Sequence, residues 1–219
     1  MRKETVGNCE LHLGDCMELM ALYPDKHFDL AIVDPPYGIG QTWAKEISSS
    51  LYKHRSTYKN KSIPEKKYFD ELFRISNKQI IWGGNYYTKF LPPTGAWIFW
   101  DKRRSEKTNY AQGELAWTSL NIPLRIISLR WNGIVTCEPR YGKHPHEKPV
   151  ALYKWLLAKY AKPGDKILDT HFGSGSIAVA CNELGFELTA SETDKDYFEA
   201  ACDRVREANR QGRFDFAAS

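Results

Sequence analysis

The feature that most constrains this 219-residue chain is Lys166-Ile167-Leu168-Asp169 followed by Thr170-His171-Phe172-Gly173-Ser174-Gly175-Ser176. A short apolar run meets a turn with two glycines, and small residues then run from Ser176 to Leu184, stopped by Gly185. The pattern predicts strand, tight turn and helix, and Glu187 to Glu192 predicts a second strand that ends in an acid. A βαβ unit of this kind demands a mostly parallel sheet with helices against its faces. Its glycines let the backbone pass close to a ligand, and Glu192, 19 residues after Gly173, is placed to accept from ribose hydroxyls. The Gly173-Ser174-Gly175-Ser176 spacing lacks the third glycine of the usual dinucleotide fingerprint, and no basic residue waits nearby for a pyrophosphate. Asp169 at the strand end would repel a phosphate and attract a cation or amine. An adenosine ligand with a positive centre fits better than a dinucleotide, which points to S-adenosylmethionine. The plainer alternative is that the glycines serve only a tight turn and Asp169 caps a helix.

The second constraint is Asp34-Pro35-Pro36-Tyr37. An apolar run, Phe28 to Val33, leads into it, and Gly38-Ile39-Gly40 follows. That run predicts a buried parallel strand, so one carboxylate, two stiff prolines and an aromatic ring arrive at its carboxyl end. Ligands of open α/β sheets sit at that end. Prolines donate no backbone N–H, and the carbonyls before them are expected to be free to accept from a ligand. Such a pocket suits a flat ligand that carries an amino group. The plainer alternative makes Asp34 a helix cap and Tyr37 core filler.

The rest of the chain supplies a scaffold. Strands are expected at 9–13, 79–82, 96–100, 114–118 and 124–131, and the close succession of the last three suggests the antiparallel end of a mixed sheet. Helices are expected at 17–22, at about 63–76 behind a capping box Ser62-Ile63-Pro64-Glu65, from Pro149 to before Pro163, and at about 194–208, with a frayed tail from Gln211. One α/β domain over residues 1–219 accounts for all of this, and the length is short for two domains.

Composition excludes more than it selects. Five cysteines (Cys9, Cys16, Cys137, Cys181, Cys202) without C-x-x-C spacing argue against a disulfide framework and a zinc site. His144 and His146 lack a third ligand at suitable spacing, so no metal is expected. No run approaches the ~18 apolar residues of a membrane span, and nothing resembles a signal peptide, so a cytoplasmic protein without membrane contact is expected. A net charge of +4 permits a polyanionic partner. The basic residues gather at 41–67, where Lys45, Lys53, Arg55, Lys59, Lys61, Lys66 and Lys67 stand against Glu46 and Glu65. This loop is either a solvated surface segment or a clamp for a phosphate backbone. Lys102-Arg103-Arg104 forms a second charged loop with the same two readings. Trp82-Gly83-Gly84-Asn85-Tyr86-Tyr87 breaks a strand end, where its aromatics either line a pocket or fill the core.

With both motifs in place the sequence resembles the β-class amino-methyltransferases of DNA, the N6-adenine/N4-cytosine group, in which a D-P-P-Y motif precedes an F-x-G-x-G motif. The resemblance covers nearly the whole chain. The H-x-x-K-P segment of that family is similar to His144-Pro145-His146-Glu147-Lys148-Pro149, and Tyr197 follows Glu192 at the usual place. The resemblance implies a Rossmann-like sheet of seven strands, one of them antiparallel, with helices on both faces. It implies S-adenosylmethionine held by Asp15, Cys16, Asp34, Lys148, Pro149, Asp169, Phe172, Gly173, Ser174, Gly175 and Glu192. It implies catalysis by Asp34, Pro35, Pro36 and Tyr37 on a base flipped out of DNA, with Lys45, Lys53, Arg55, Lys59, Lys61, Lys102, Arg103 and Arg104 as candidate DNA contacts. The D-P-P-Y form favours adenine N6 over cytosine N4; an RNA adenine methyltransferase and a binding protein without catalysis are the rivals. Family members with a defined recognition sequence usually insert a recognition region before the H-x-x-K-P segment. Here only residues 101–112 and 132–146 are available, which implies short or relaxed specificity. A homodimer is left open.

Overall fold

The computed structural model describes residues 1–38, 62–107, 110–131, 136–141, 144 and 146–217, with side chains up to residue 211. β1 (Arg2–Val6) and β2 (Cys9–Leu13) form an antiparallel hairpin around Gly7-Asn8, Val6 opposite Cys9. Gly7 sits at φ +61°, as tight two-residue hairpin turns require. β1 has no apolar alternation to announce it. It is an edge strand whose Arg2, Lys3 and Glu4 face outward and whose Val6 alone is buried.

α1 (Cys16–Met20), β3 (Phe28–Val33), α2 (Lys66–Ile75) and β4 (Ser76–Trp82) follow, then a 3-10 turn at Gly84–Tyr86. Next come β5 (Trp97–Asp101), β6 (Gly113–Thr118), β7 (Arg125–Ser128), α3 (Val150–Tyr160), β8 (Lys166–Asp169), α4 (Ser176–Leu184), β9 (Glu187–Glu192) and α5 (Lys195–Ala217). The described strands form one sheet in the order β1-β2-β9-β8-β3-β4-β6-β5-β7. The sheet is Rossmann-like and mostly parallel; β1 and β6 run against the rest. Nine strands and two reversed ones stand where seven and one were expected, and the unannounced β1 is one reason.

β3 and β8 lie side by side, Leu30 opposite Ile167. From β3 the chain moves outward to β4, and from β8 it moves the other way to β9. That reversal is the topological switch point, where a crevice opens beyond the carboxyl ends of the strands. It brings Asp34-Pro35-Pro36-Tyr37 and the glycine turn next to each other. Alternating residues of β3 face opposite sides: Leu30 and Ile32 join a core with α3, α4 and α5, while Ala31 and Val33 join one with α1 and α2.

Some boundaries differ from expectation. α2 starts at Lys66 and its N-cap, Glu65, makes no side-chain cap bond, so the capping box is not realised. Pro64 disfavours helical backbone at Ile63, which keeps the start of the helix downstream. Tyr68, Leu72 and Ile75 form its buried face with Phe69. β7 ends at Ser128, and Trp131 instead bridges Thr136. α5 continues past 208 to Ala217.

Candidate active site

Beyond β3 the two prolines turn the chain so that Tyr37 folds back on Asp34, its Oη donating to Asp34 Oδ1 at 2.6 Å. Burial pushes the Tyr37 hydroxyl far up, with the Asp34 and Glu114 carboxylates adding, so it remains a donor. Its ring stacks on Tyr86 at 5.0 Å and 17°. Gly83, at φ +70°, makes room for it; a Cβ there would overlap the Tyr37 ring. The Pro35 carbonyl is not free, contrary to expectation. The buried Tyr87 Oη donates to Pro35 O at 2.6 Å, with Pro36 O also within reach at 3.0 Å. A carbonyl oxygen has two lone pairs, so Pro35 O keeps one for a further donor.

Lys148, expected among the cofactor contacts, stands on the acceptor motif. Its ammonium bonds Asp34 Oδ2 and lies 3.2 Å from Glu114 Oε2, and its side chain is 4% exposed. Burial pulls the Lys148 ammonium down, but Asp34 and Glu114 outweigh that and raise it above its ordinary value. Glu114 Oε1 accepts from the buried Lys102. Burial pushes Glu114 up, but Lys148 and Lys102 more than offset this and hold it at about 2. Two ammoniums and two carboxylates therefore form one compact set whose formal charges cancel.

Beside this set lies a cavity of about 420 Å³ whose wall includes Asp15, Cys16, Pro36, Tyr68, His171 and Glu192. Its size suits a nucleoside. Asp15 also caps α1, accepting from Met17 N at 2.7 Å. Glu192 Oε2 accepts from Gly173 N at 3.0 Å and Glu192 Oε1 from Asp194 N at 2.9 Å. A carboxylate thus fills the amide that a phosphate-binding turn would present to its ligand. The described wall carries three carboxylates (Asp15, Glu65, Glu192) and one ammonium (Lys67), which suits a cationic nucleoside.

The other sequence-predicted cofactor residues support the cavity from behind. Gly173 and Gly175 take φ +51° and +77°, and Gly175 caps α4. Ser174 offers its carbonyl to Arg204 Nη1 at 3.0 Å, and Pro149 caps α3. Phe172 is buried in the core, whereas its neighbour His171 lines the cavity. Asp169 is 2% exposed and accepts from His171 N at 2.9 Å. Burial pushes it up to about 8, against that amide's pull and helped by Asp34 and Glu192. Burial thus disfavours the standing negative charge expected of it. Tyr68, Thr170 and Glu114 carry no motif. Tyr68 Oη and Thr170 Oγ1 meet at 2.6 Å across 102 residues, a pairing no local pattern signals.

The DNA methylase family profile matches residues 44–203, most of the chain, beginning just downstream of Asp34-Pro35-Pro36-Tyr37. The chain belongs to the DNA methylase family. M2.DpnII, a type II methyltransferase of Streptococcus pneumoniae, is 26% identical over 172 residues, 78% of this chain and 62% of that protein. The chain thus spans under two thirds of that relative's length. The structure of the M1.HpyAVI-SAM complex superposes with a TM-score of 0.58 at 18% identity, over 90% of this chain and 99% of that one. The cytosine-N4-specific PvuII DNA methyltransferase gives 0.60 at 13% identity, over 94% and 93%. At such identities the two structures establish a shared fold.

The cations expected as DNA contacts divide. Lys45, Lys53, Arg55, Lys59 and Lys61 lie outside the described residues. Lys102 is corrected: its ammonium is buried on Glu114 and over the Trp100 ring at 4.7 Å, so it cannot reach a phosphate. Arg103 is exposed at the apex of its loop. Arg104 is half-buried, donating to Trp131 O at 3.2 Å.

Proposed function

We propose that this chain transfers a methyl group from S-adenosylmethionine to the exocyclic amine of a base in DNA, with adenine N6 as the target. The observation that carries the reading is Pro36, which belongs to the acceptor motif and also lines the nucleoside-sized cavity. A ligand in that cavity and an amine at Asp34 are therefore neighbours. When bound, S-adenosylmethionine supplies an electrophilic methyl on a sulfonium.

The chain's own residues act on the amine. Its lone pair is delocalised into the base, which makes it a poor nucleophile. Asp34 and the spare lone pair of the Pro35 carbonyl accept its two N–H groups, favouring a pyramidal nitrogen with its lone pair aimed at the cavity. These bonds strengthen as positive charge grows on nitrogen, so they stabilise the transition state more than the ground state. Holding both reactants in line supplies much of the remaining acceleration. Tyr86, exposed and stacked on Tyr37, presents an aromatic face for a base taken out of the duplex.

The D-P-P-Y form supports adenine; the family also contains N4-cytosine enzymes. Incubation with unmethylated DNA and labelled cofactor, followed by digestion to nucleosides and mass spectrometry, tests the choice. N6-methyladenine is expected. N4-methylcytosine alone would overturn the base assignment, and incorporation only into RNA would overturn the substrate.

A further inference from the structure

Both Asp34 oxygens are engaged. Oδ1 holds the Tyr37 hydroxyl and Oδ2 the Lys148 ammonium. Each oxygen keeps a lone pair for a target amine, but positive charge growing on that amine repels the Lys148 ammonium beside it. Lys148 is the mobile group of the two, because Tyr37 is pinned by its stack on Tyr86 and by Gly83 beneath it. Yet Lys148 is buried, and an ammonium pushed off its carboxylate with nowhere to go would be costly.

Glu114 solves this by topology. β6 runs antiparallel to β4, Trp82 opposite Ala116, so it presents its first residues where the parallel strands present their last. Gly83 N donates to Leu115 O at 2.8 Å and fixes that register beside the Tyr37 ring. Glu114 Oε2 is already 3.2 Å from the Lys148 ammonium, and Lys102 anchors Glu114 Oε1 from the far side.

We propose that Glu114 is a positioning residue for the transfer step, the second seat onto which Lys148 shifts when the target amine donates to Asp34. This rests on the methyl-transfer reading above. Lys148 moves from sharing two carboxylates to resting on one, without leaving the protein interior or changing its charge. Trp82, whose ring centre is 5.5 Å from the ammonium, walls the path.

The test compares Glu114→Gln with the charge-balanced Lys102→Met/Glu114→Gln in single-turnover methyl transfer, alongside cofactor and DNA affinity. Both variants should transfer methyl at least about tenfold more slowly with both affinities within about twofold of wild type. A Glu114→Gln rate within twofold of wild type overturns the proposal. So does recovery of the wild-type rate in the double variant, which would mean Glu114 serves only to neutralise Lys102. A second readout does not depend on turnover. In ζ-labelled protein carrying Lys102→Met, the NMR titration of Lys148 should move to lower pH when Glu114→Gln is added, because a carboxylate that favours the ammonium has gone. An unmoved titration overturns the second seat. Wild-type protein that binds cofactor and DNA but transfers no methyl would overturn the methyl-transfer reading instead, leaving the titration to judge Glu114.

Discussion

Single residues at this site do several jobs, and their neighbours decide which dominates. Asp34 is an acceptor already occupied by Tyr37 and Lys148. Asp34→Ala should lower single-turnover methyl transfer by at least about a hundredfold, since one preorganised partner of the developing charge is lost. Cofactor affinity, measured by calorimetry, should stay within about twofold, because Glu114 still holds Lys148 and the cavity wall is otherwise intact. Asp169 shows the opposite use of a carboxyl group. Its folded value of about 8 exceeds that of an unfolded aspartate, so the folded chain binds an extra proton between about pH 4 and 8. Stability therefore falls as pH rises through that window and levels off above it. Asp169→Asn keeps the acceptor for His171 N and removes the ionisation. It should melt about 10 °C or more above wild type at pH 8.5, the gap closing toward pH 4, by differential scanning calorimetry. A constant gap would mean that Asp169 does not titrate in this range.

Elements reach the site by borrowing. α3 begins at Val150; its N-cap position, Pro149, offers no side-chain acceptor, and the side-chain cap comes instead from Glu138 on a preceding loop. Its two oxygens accept from Val150 N at 2.6 Å and Ala151 N at 3.0 Å. This cap fixes the start of the helix two residues after Lys148. Glu138→Ala should cost about 1–2 kcal/mol, the usual range for losing an N-cap, and lower the melting temperature by about 2–6 °C. A change below 1 °C would show that water replaces the cap. The Ser62 capping box failed for a related reason: local spacing proposes a cap, and the three-dimensional path of the chain decides whether it forms.

At the scale of the molecule, the sheet puts both functional turns at one switch point, and the basic residues of 41–67 enter the chain between β3 and α2. If that segment meets the phosphate backbone, replacing Lys45, Lys53, Arg55, Lys59 and Lys61 by Gln should flatten the slope of log affinity against log salt. The expected change is about 0.9 per lost phosphate contact on duplex DNA. An unchanged slope, measured by fluorescence anisotropy, would assign the segment a role other than binding.

The sequence by itself determined the parts that depend on near neighbours. Apolar runs ended by Asp34-Pro35-Pro36-Tyr37 and by the glycine turn marked β3 and β8, because strand, turn and helix signals act over a few residues. They also named the family, whose profile matches most of the chain. Only the tertiary structure decided who partners whom. It took Lys102 from the expected DNA surface into the core, moved Lys148 onto Asp34, and brought Glu114 to the site from a reversed strand. Those contacts join residues 12 to 114 positions apart, through burial and charge pairing that exist only once the sheet has formed, so no local pattern could carry them.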